Sequence, residues 1–289
     1  HTLVVLDARA LSLVKVIPVA DRGGRTSRVS AVYDAAPRGS FIVALKDIPE
    51  VWELPYDPKA PPVYEGYVHD YRGGEAVAEK GPFPVRRIVL DDVLDDFFFD
   101  RRYDHLIGAS RAAGKGQVVN LNVRRKVATV DLPGLPHLGS GISWDWEGRP
   151  VVATTNLKEG VVSVIDLRDW KVVAAIPTNG PGFFLRSHEA TPFAWADAMN
   201  SPARDTLQVI DKRSLRVVKA LTPAPGRTAA HVEFDRRGKY ALVSVWETDG
   251  ALVVYDAATL EEVKRIPASK PVGKYNVWNK ITRDAGTSH

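Results

Sequence analysis

Seven histidines are spread along a chain that has no cysteine, and three of them recur at a near-regular interval. His137 in PHLGSG, His188 in RSHEATPFAWAD and His231 in AAHVEF lie 51 and 43 residues apart. Imidazoles at equivalent points of a repeating unit can converge on one cavity and there hold or move protons near neutral pH. The bland alternative is three satisfied structural histidines. Two aspartate pairs, Asp91–Asp92 and Asp95–Asp96 in LDDVLDDFFFD, could add acid/base groups, although a solvated acidic loop is the ordinary explanation of such a run. Arg22, Arg25 and Arg28, with Asp21 in DRGGRTSRVS, could grip ligand carboxylates, because a guanidinium binds a carboxylate bidentately; an ordinary basic turn is the alternative. Arg186, next to His188, joins this candidate binding set. No HExxH, GxSxG elbow or P-loop is present, so no metal site is expected from spacing.

Composition narrows the chemistry further. The chain has 289 residues, 45% of them hydrophobic and 26% charged, enough for a packed core and unlike a disordered or fibrous chain. Without cysteine it forms no disulfide, thiolate zinc site or iron–sulfur cluster, and it carries no CxxCH for a c-type heme. No apolar run approaches the ~20 residues of a membrane-spanning helix. The net charge of +4 is spread without a Lys/Arg block, which suits a modest anion such as a polycarboxylate better than nucleic acid. The opening His1-Thr-Leu-Val-Val-Leu-Asp lacks the n-region, h-region and cleavage site of a signal peptide, and reads as a start inside folded structure.

These side chains must be positioned by a repeated element. Residues 3–19, 117–133, 162–178, 207–223 and 252–268 align as strand, polar turn, strand. The turn markers are Asp7, Asn122, Asp166, Asp211 and Asp256, the later ones 44, 45 and 45 residues apart, and a poorer copy puts Asp57 at the same place. Asp or Asn there bonds its own backbone and closes a hairpin, while Val/Ile alternation suits strands. A period of this size with almost no helical periodicity predicts an all-β fold, a β-propeller of four-stranded blades with about six blades visible. A stack of β-sandwiches is the alternative. The insertion at roughly 66–100 is expected to be a long loop on one face of the ring.

Five segments, RVSAVYDAAPRGSFIVALKD, PHLGSG, FLRSHEATPFAWAD, AHVEFDRRGKYALVSVW and PVGKYNVWNK, resemble the heme d1-binding propeller family. That family includes the d1 domain of cytochrome cd1 nitrite reductase and the heme d1 biosynthesis proteins NirN and NirF. The LDDFFFD cluster, the TSRVSAVYDAAP opening and the GTSH ending are most similar to the NirF-type branch. The resemblance implies eight blades, with one or two preceding His1, an iron tetrapyrrole ligand (heme d1 or its precursor) and a periplasmic location. It implies that His137 stands for one of the reductase's two distal histidines and that the other falls at or beside Asp95, which impairs nitrite reduction. His231 and Tyr275 match a pair that contacts the tetrapyrrole, Gly273 matches backbone packed on the macrocycle, and Asn276 could bond a carboxylate edge. An axial histidine would precede His1. The expectation is a NirF-type protein that binds a heme d1 precursor and helps its late side-chain tailoring, with Asp95, Asp96, His137 and His231 moving protons. The alternative is a carrier that passes the ligand to NirN or the nitrite reductase. A generic interaction propeller would bind no tetrapyrrole.

Overall fold

The structure is a computed structural model that describes residues 1–65, 77–79, 81–110 and 114–272. Its described residues form five four-stranded antiparallel sheets and two two-stranded ones. The first hairpin is β1 (Thr2–Asp7) and β2 (Ser12–Pro18). The first complete sheet holds β3 (Val29–Ala35), β4 (Ser40–Leu45) and β5 (Glu50–Pro55); a short ribbon of β6 (Tyr64–Glu65) and β7 (Val77–Ala78) then intervenes before its fourth strand, β8 (Arg86–Val89). Next come β9 (Leu94–Phe99), β10 (His105–Ser110), β11 (Lys115–Asn120) and β12 (Arg125–Asp131), then β13 (Ile142–Trp146), β14 (Arg149–Thr154), β15 (Val161–Asp166) and β16 (Val172–Pro177). The last two sheets are β17 (Leu185–Ser187), β18 (Phe193–Asp197), β19 (Leu207–Asp211) and β20 (Arg216–Leu221), and β21 (Ala229–Phe234), β22 (Tyr240–Val245), β23 (Ala251–Asp256) and β24 (Glu262–Pro267).

Each complete sheet runs in chain order from its first strand to its fourth, as propeller blades do. The second and third strands are mostly buried, while fourth strands such as β24 are exposed along their length. The apolar cores lie between successive sheets. Trp195, Leu207 and Val209 of one blade pack with Val232, Phe234 and Val243 of the next. Ile42, Val51 and Ile88 meet Phe97, Phe99 and Leu106 in the same way. A four-stranded sheet has two faces to bury, and stacking blade on blade buries both.

The turn between third and fourth strands repeats in detail. The Oδ1 of Asp7, Asp211 and Asp256 accepts the N–H groups two and three residues on, and the residue four on has a positive φ. In the sheet of β9–β12 the group that does this is Asn120, which caps Asn122 and Val123, with Arg124 left-handed. The marker is therefore Asn120 and not Asn122; the latter accepts from Arg38 and donates to Asp104 instead.

The stretch 66–100 is not one loop. The insertion sits between β5 and β8, and the acidic–aromatic LDDFFF is β9, the first strand of the following blade. Its triplet alternates across the sheet: Phe97 and Phe99 enter the core shared with the preceding blade, and Phe98 the core shared with the next.

Antiparallel order gives the ring two ends. At what we call the upper end lie the connections between blades and the turns between second and third strands. The turns between first and second, and between third and fourth strands, lie at the lower end. Only side chains at the same end can meet.

Candidate functional site

His137 lies on the connection between β12 and β13, at the upper end, and is 7% exposed. Its Nδ1 donates to the carbonyl of Phe183 at 2.7 Å, and its ring lies 4.0 Å from the Phe183 ring. Its Nε2 is 3.3 Å from Asp96 Oδ2, which also accepts the N–H of Gly139 at 2.9 Å. Asp96 Oδ1 is buried with no hydrogen-bond partner among the described residues. Burial pushes the Asp96 carboxyl above the usual carboxylate range, opposed by His137 and by the N–H groups of Gly139 and Leu138. Asp96 and His137 thus form a buried pair able to hold a proton between them.

His231 is 1% exposed, near the start of β21, also toward the upper end. The ladder to β22 slips between Ala230 and Glu233, a bulge, and within it His231 adopts φ 53°. Left-handed backbone costs a non-glycine residue about 1–3 kcal/mol, and such strain gathers at functional positions. The ring of Phe184 meets His231 edge-on at 4.4 Å and lies 6.1 Å from Trp246. Phe183 and Phe184 therefore join the two histidines into one aromatic, proton-bearing group. Arg186 sits beside it, 4% exposed, its Nε 4.0 Å from Glu233 and one guanidinium nitrogen donating to the Leu185 carbonyl.

Asp95 turns to the opposite side of β9 from Asp96. Its backbone and side-chain oxygens both accept from Ser30 Oγ, and Lys46 Nζ is 3.8 Å from its carboxylate. Asp91 pairs with Lys126 at 2.5 Å and Asp92 caps Val93, so the two pairs point to four different neighbours.

His188 does not join this group. It follows the last residue of β17, at the lower end, where Nε2 donates to the Arg236 carbonyl and Nδ1 accepts from the Ala190 N–H. Its ring fills space that a side chain at Gly238 would enter, a Cβ there falling 2.2 Å from Nδ1. It is a packing histidine between two blades. Arg28 is likewise occupied: Nε donates to Asp47 Oδ2 at 2.9 Å and a second nitrogen to Oδ1 at 2.5 Å. That fork holds Asp47 below the ordinary carboxylate range. Asp21 caps its own turn through Gly23 and Arg25, both N–H groups bonding Oδ1. Arg22 and Arg25 are exposed, and Arg22 lines an upper rim cleft of about 310 Å³ with Asp21, Glu50 and Arg87. Gly273, Tyr275 and Asn276 lie outside the described residues.

Phe183, Phe184 and Asp197 are not among the candidates that the sequence singled out. The one available signal was GPGFF at 180–184, a glycine-proline turn delivering two aromatics to the start of a strand.

The cytochrome D1 heme domain family matches residues 1–66 and 76–280. The chain belongs to that family. It is 53% identical over 287 residues to the dihydro-heme d1 dehydrogenase of Pseudomonas aeruginosa, covering 99% of this chain and 54% of that protein. Against the protein NirF of the same organism the identity is 29%, over 93% of this chain and 65% of the relative. The nitrite reductase of Stutzerimonas stutzeri is 26% identical, over 96% of this chain and 52% of the relative. The chain thus spans about half to two thirds of these relatives. A solved structure of the dihydro-heme d1 dehydrogenase NirN in complex with DHE superposes with a TM-score of 0.85 at 52% identity, over 96% of this chain and 55% of that one. The expected likeness to the NirF-type branch is corrected by these identities, 53% to the dihydro-heme d1 dehydrogenase against 29% to NirF, and LDDFFF is the first strand of a blade.

The residues fit a carboxylate-bearing tetrapyrrole. Phe183, Phe184 and Trp246 offer aromatic surface for a flat ring, Arg186 a cation, and His137–Asp96 with His231 proton-transferring groups, all toward one end of the propeller.

Proposed function

We propose that this chain is the tetrapyrrole-binding propeller of a protein acting late in heme d1 formation, with a dihydro-heme d1-type iron tetrapyrrole as substrate at the upper end. Removing hydrogen from such a substrate takes away two protons and two electrons. His231 and the His137–Asp96 pair are placed to accept the protons, and a separate redox partner takes the electrons. Tyr275, with Gly273 and Asn276, belongs to the same site by family likeness. The observation that carries the reading is His231, held in strained backbone at the bulge of β21 and joined through Phe184 and Phe183 to His137. The location that goes with it is the periplasm.

A second reading is a carrier that holds the precursor and passes it to NirN or to the cd1 nitrite reductase. One experiment separates the two. The protein is titrated with dihydro-heme d1 by absorbance, then given a one-electron oxidant, and the ligand is weighed by mass spectrometry. Loss of two hydrogens supports the dehydrogenase reading and unchanged mass with tight binding the carrier, while absence of binding overturns both. His231→Ala or Tyr275→Phe should weaken binding or conversion by roughly tenfold or more, about 1.4 kcal/mol.

A further inference from the structure

The connection between β16 and β17 touches both histidines and holds them in register. Phe183 supplies the carbonyl that takes the Nδ1–H of His137, a carbonyl that also accepts Thr155 Oγ1 at 3.0 Å. Phe184 supplies the ring against which His231 packs. What fixes this dipeptide is one side chain from the neighbouring strand. Asp197, the last residue of β18, is 1% exposed. Its Oδ1 accepts the N–H of Phe183 at 2.9 Å and of Met199 at 3.1 Å, and its Oδ2 accepts the N–H of Phe184 at 2.8 Å. The Asp197 N–H donates in return to the Phe184 carbonyl at 3.3 Å.

We infer that Asp197 is a positioning residue for the proton-transferring histidines: its buried carboxylate grips the Phe183–Phe184 peptides, and through them sets the Nδ1–H tautomer of His137 and the seat of His231. This rests on the reading that both histidines serve the tetrapyrrole site. Three features support it. A carboxylate has acceptor sites for three N–H groups at once, and such charge-assisted bonds are stronger than neutral ones. The approach is close enough to require Gly182, where a Cβ would fall 2.0 Å from the Asp197 carbonyl oxygen. Because Nδ1 of His137 is committed to the Phe183 carbonyl, Nε2 is the atom left facing Asp96, so the proton-holding contact depends on where that carbonyl stands. The charged neighbour that acts on Asp197 is Arg186. Burial pushes the Asp197 carboxyl up to about 6, against the pull of the three N–H groups and Arg186.

The test uses the unliganded protein first. Long-range proton–nitrogen spectra of the wild type should show His137 as a single tautomer with a protonated Nδ1. In Asp197→Asn, an isosteric change that puts an amide NH2 in place of one carboxylate oxygen and so against a backbone N–H donor, the His137 signals should move toward tautomer averaging, and affinity for dihydro-heme d1 should fall about tenfold. Asp197→Ala should move them further; where it does not fold, Asp197→Asn carries the test. Ile210→Val, a core change in the same sheet, should lower the melting temperature and leave His137 where it was. His137 signals unchanged in folded Asp197→Asn overturn the inference. If dihydro-heme d1 fails to bind the wild type, the functional reading falls, and the His137 spectra still decide the role of Asp197.

Discussion

At the scale of single residues, the upper end combines a histidine in strained backbone with a carboxyl that burial keeps from ionising readily. Asp96 has one oxygen on Gly139 and His137, and the other without a hydrogen-bond partner among the described residues. Burial opposes ionisation of this carboxyl, and the group can exchange a proton with His137 or a ligand. Asp96→Asn keeps an amide oxygen for the Gly139 N–H but cannot exchange a proton. Its melting temperature should change little, while conversion of dihydro-heme d1 in single-turnover absorbance traces should slow by roughly 100-fold, the lower range for a general acid/base group. An unchanged rate would reduce Asp96 to a structural role. The companion residue Asp95 was grouped with it by sequence, yet it faces Ser30 and Lys46 across the strand. Strand pleating alone separates the two.

At the scale of elements, the hairpin between third and fourth strands is the repeated unit. It closes because one Asp or Asn oxygen satisfies two backbone N–H groups while the residue four positions on turns left-handed. The N–H groups of Ser214 and Arg213 hold Asp211 below the usual carboxylate range. A carboxyl lowered in this way stabilises the fold fully above its unfolded value of about 3.9, and that contribution is lost as pH falls through the lower folded value. Asp211→Ala should cost about 1 kcal/mol at neutral pH. Asp211→Asn keeps the acceptor without the titration, so its melting temperature should decline less steeply than the wild type's below about pH 4. Parallel acid profiles in thermal melts would refute this account of the turn. The hairpin was readable from sequence because cap, capped groups and left-handed residue lie within five positions. The shift from Asn122 to Asn120 shows the margin of such a reading, since both are asparagines in a polar turn and only the hydrogen bonds distinguish them.

At the scale of the molecule, stability comes from the layers between blades, and β9 serves two of them. Phe98 is 1% exposed and packs with Ile107, Val118, Val152 and Ile165, drawn from two sheets. Phe98→Ala should cost about 3–5 kcal/mol. Since this layer joins neighbouring blades, and Asp96 lies two residues before Phe98 on the strand that borders His137, the same change should weaken tetrapyrrole binding. Chemical denaturation alongside a dihydro-heme d1 titration measures both, and full-strength binding in a strongly destabilised variant would argue against coupling between layer and site. Among the described residues no helix is long and apolar enough to cross a membrane.

The amino-acid sequence by itself determined the all-β class, the period near 45 residues, the hairpins and the family, because each depends on patterns within one repeat or on a motif read in place. Tertiary structure decided which residues meet. His137, His188 and His231 look equivalent at one-blade spacing, but His137 and His231 lie before or at the start of a first strand and His188 follows the end of one. A strand advances ~3.3 Å per residue and the next reverses it, so an offset of a few positions carries a side chain to the other end of the ring. Arg28 looked free until the fold brought Asp47 against it, 19 residues away. Asp197 was invisible as a site residue because two of its three N–H partners belong to a loop 13 and 14 residues earlier, and only the packed blade shows that this loop touches both histidines.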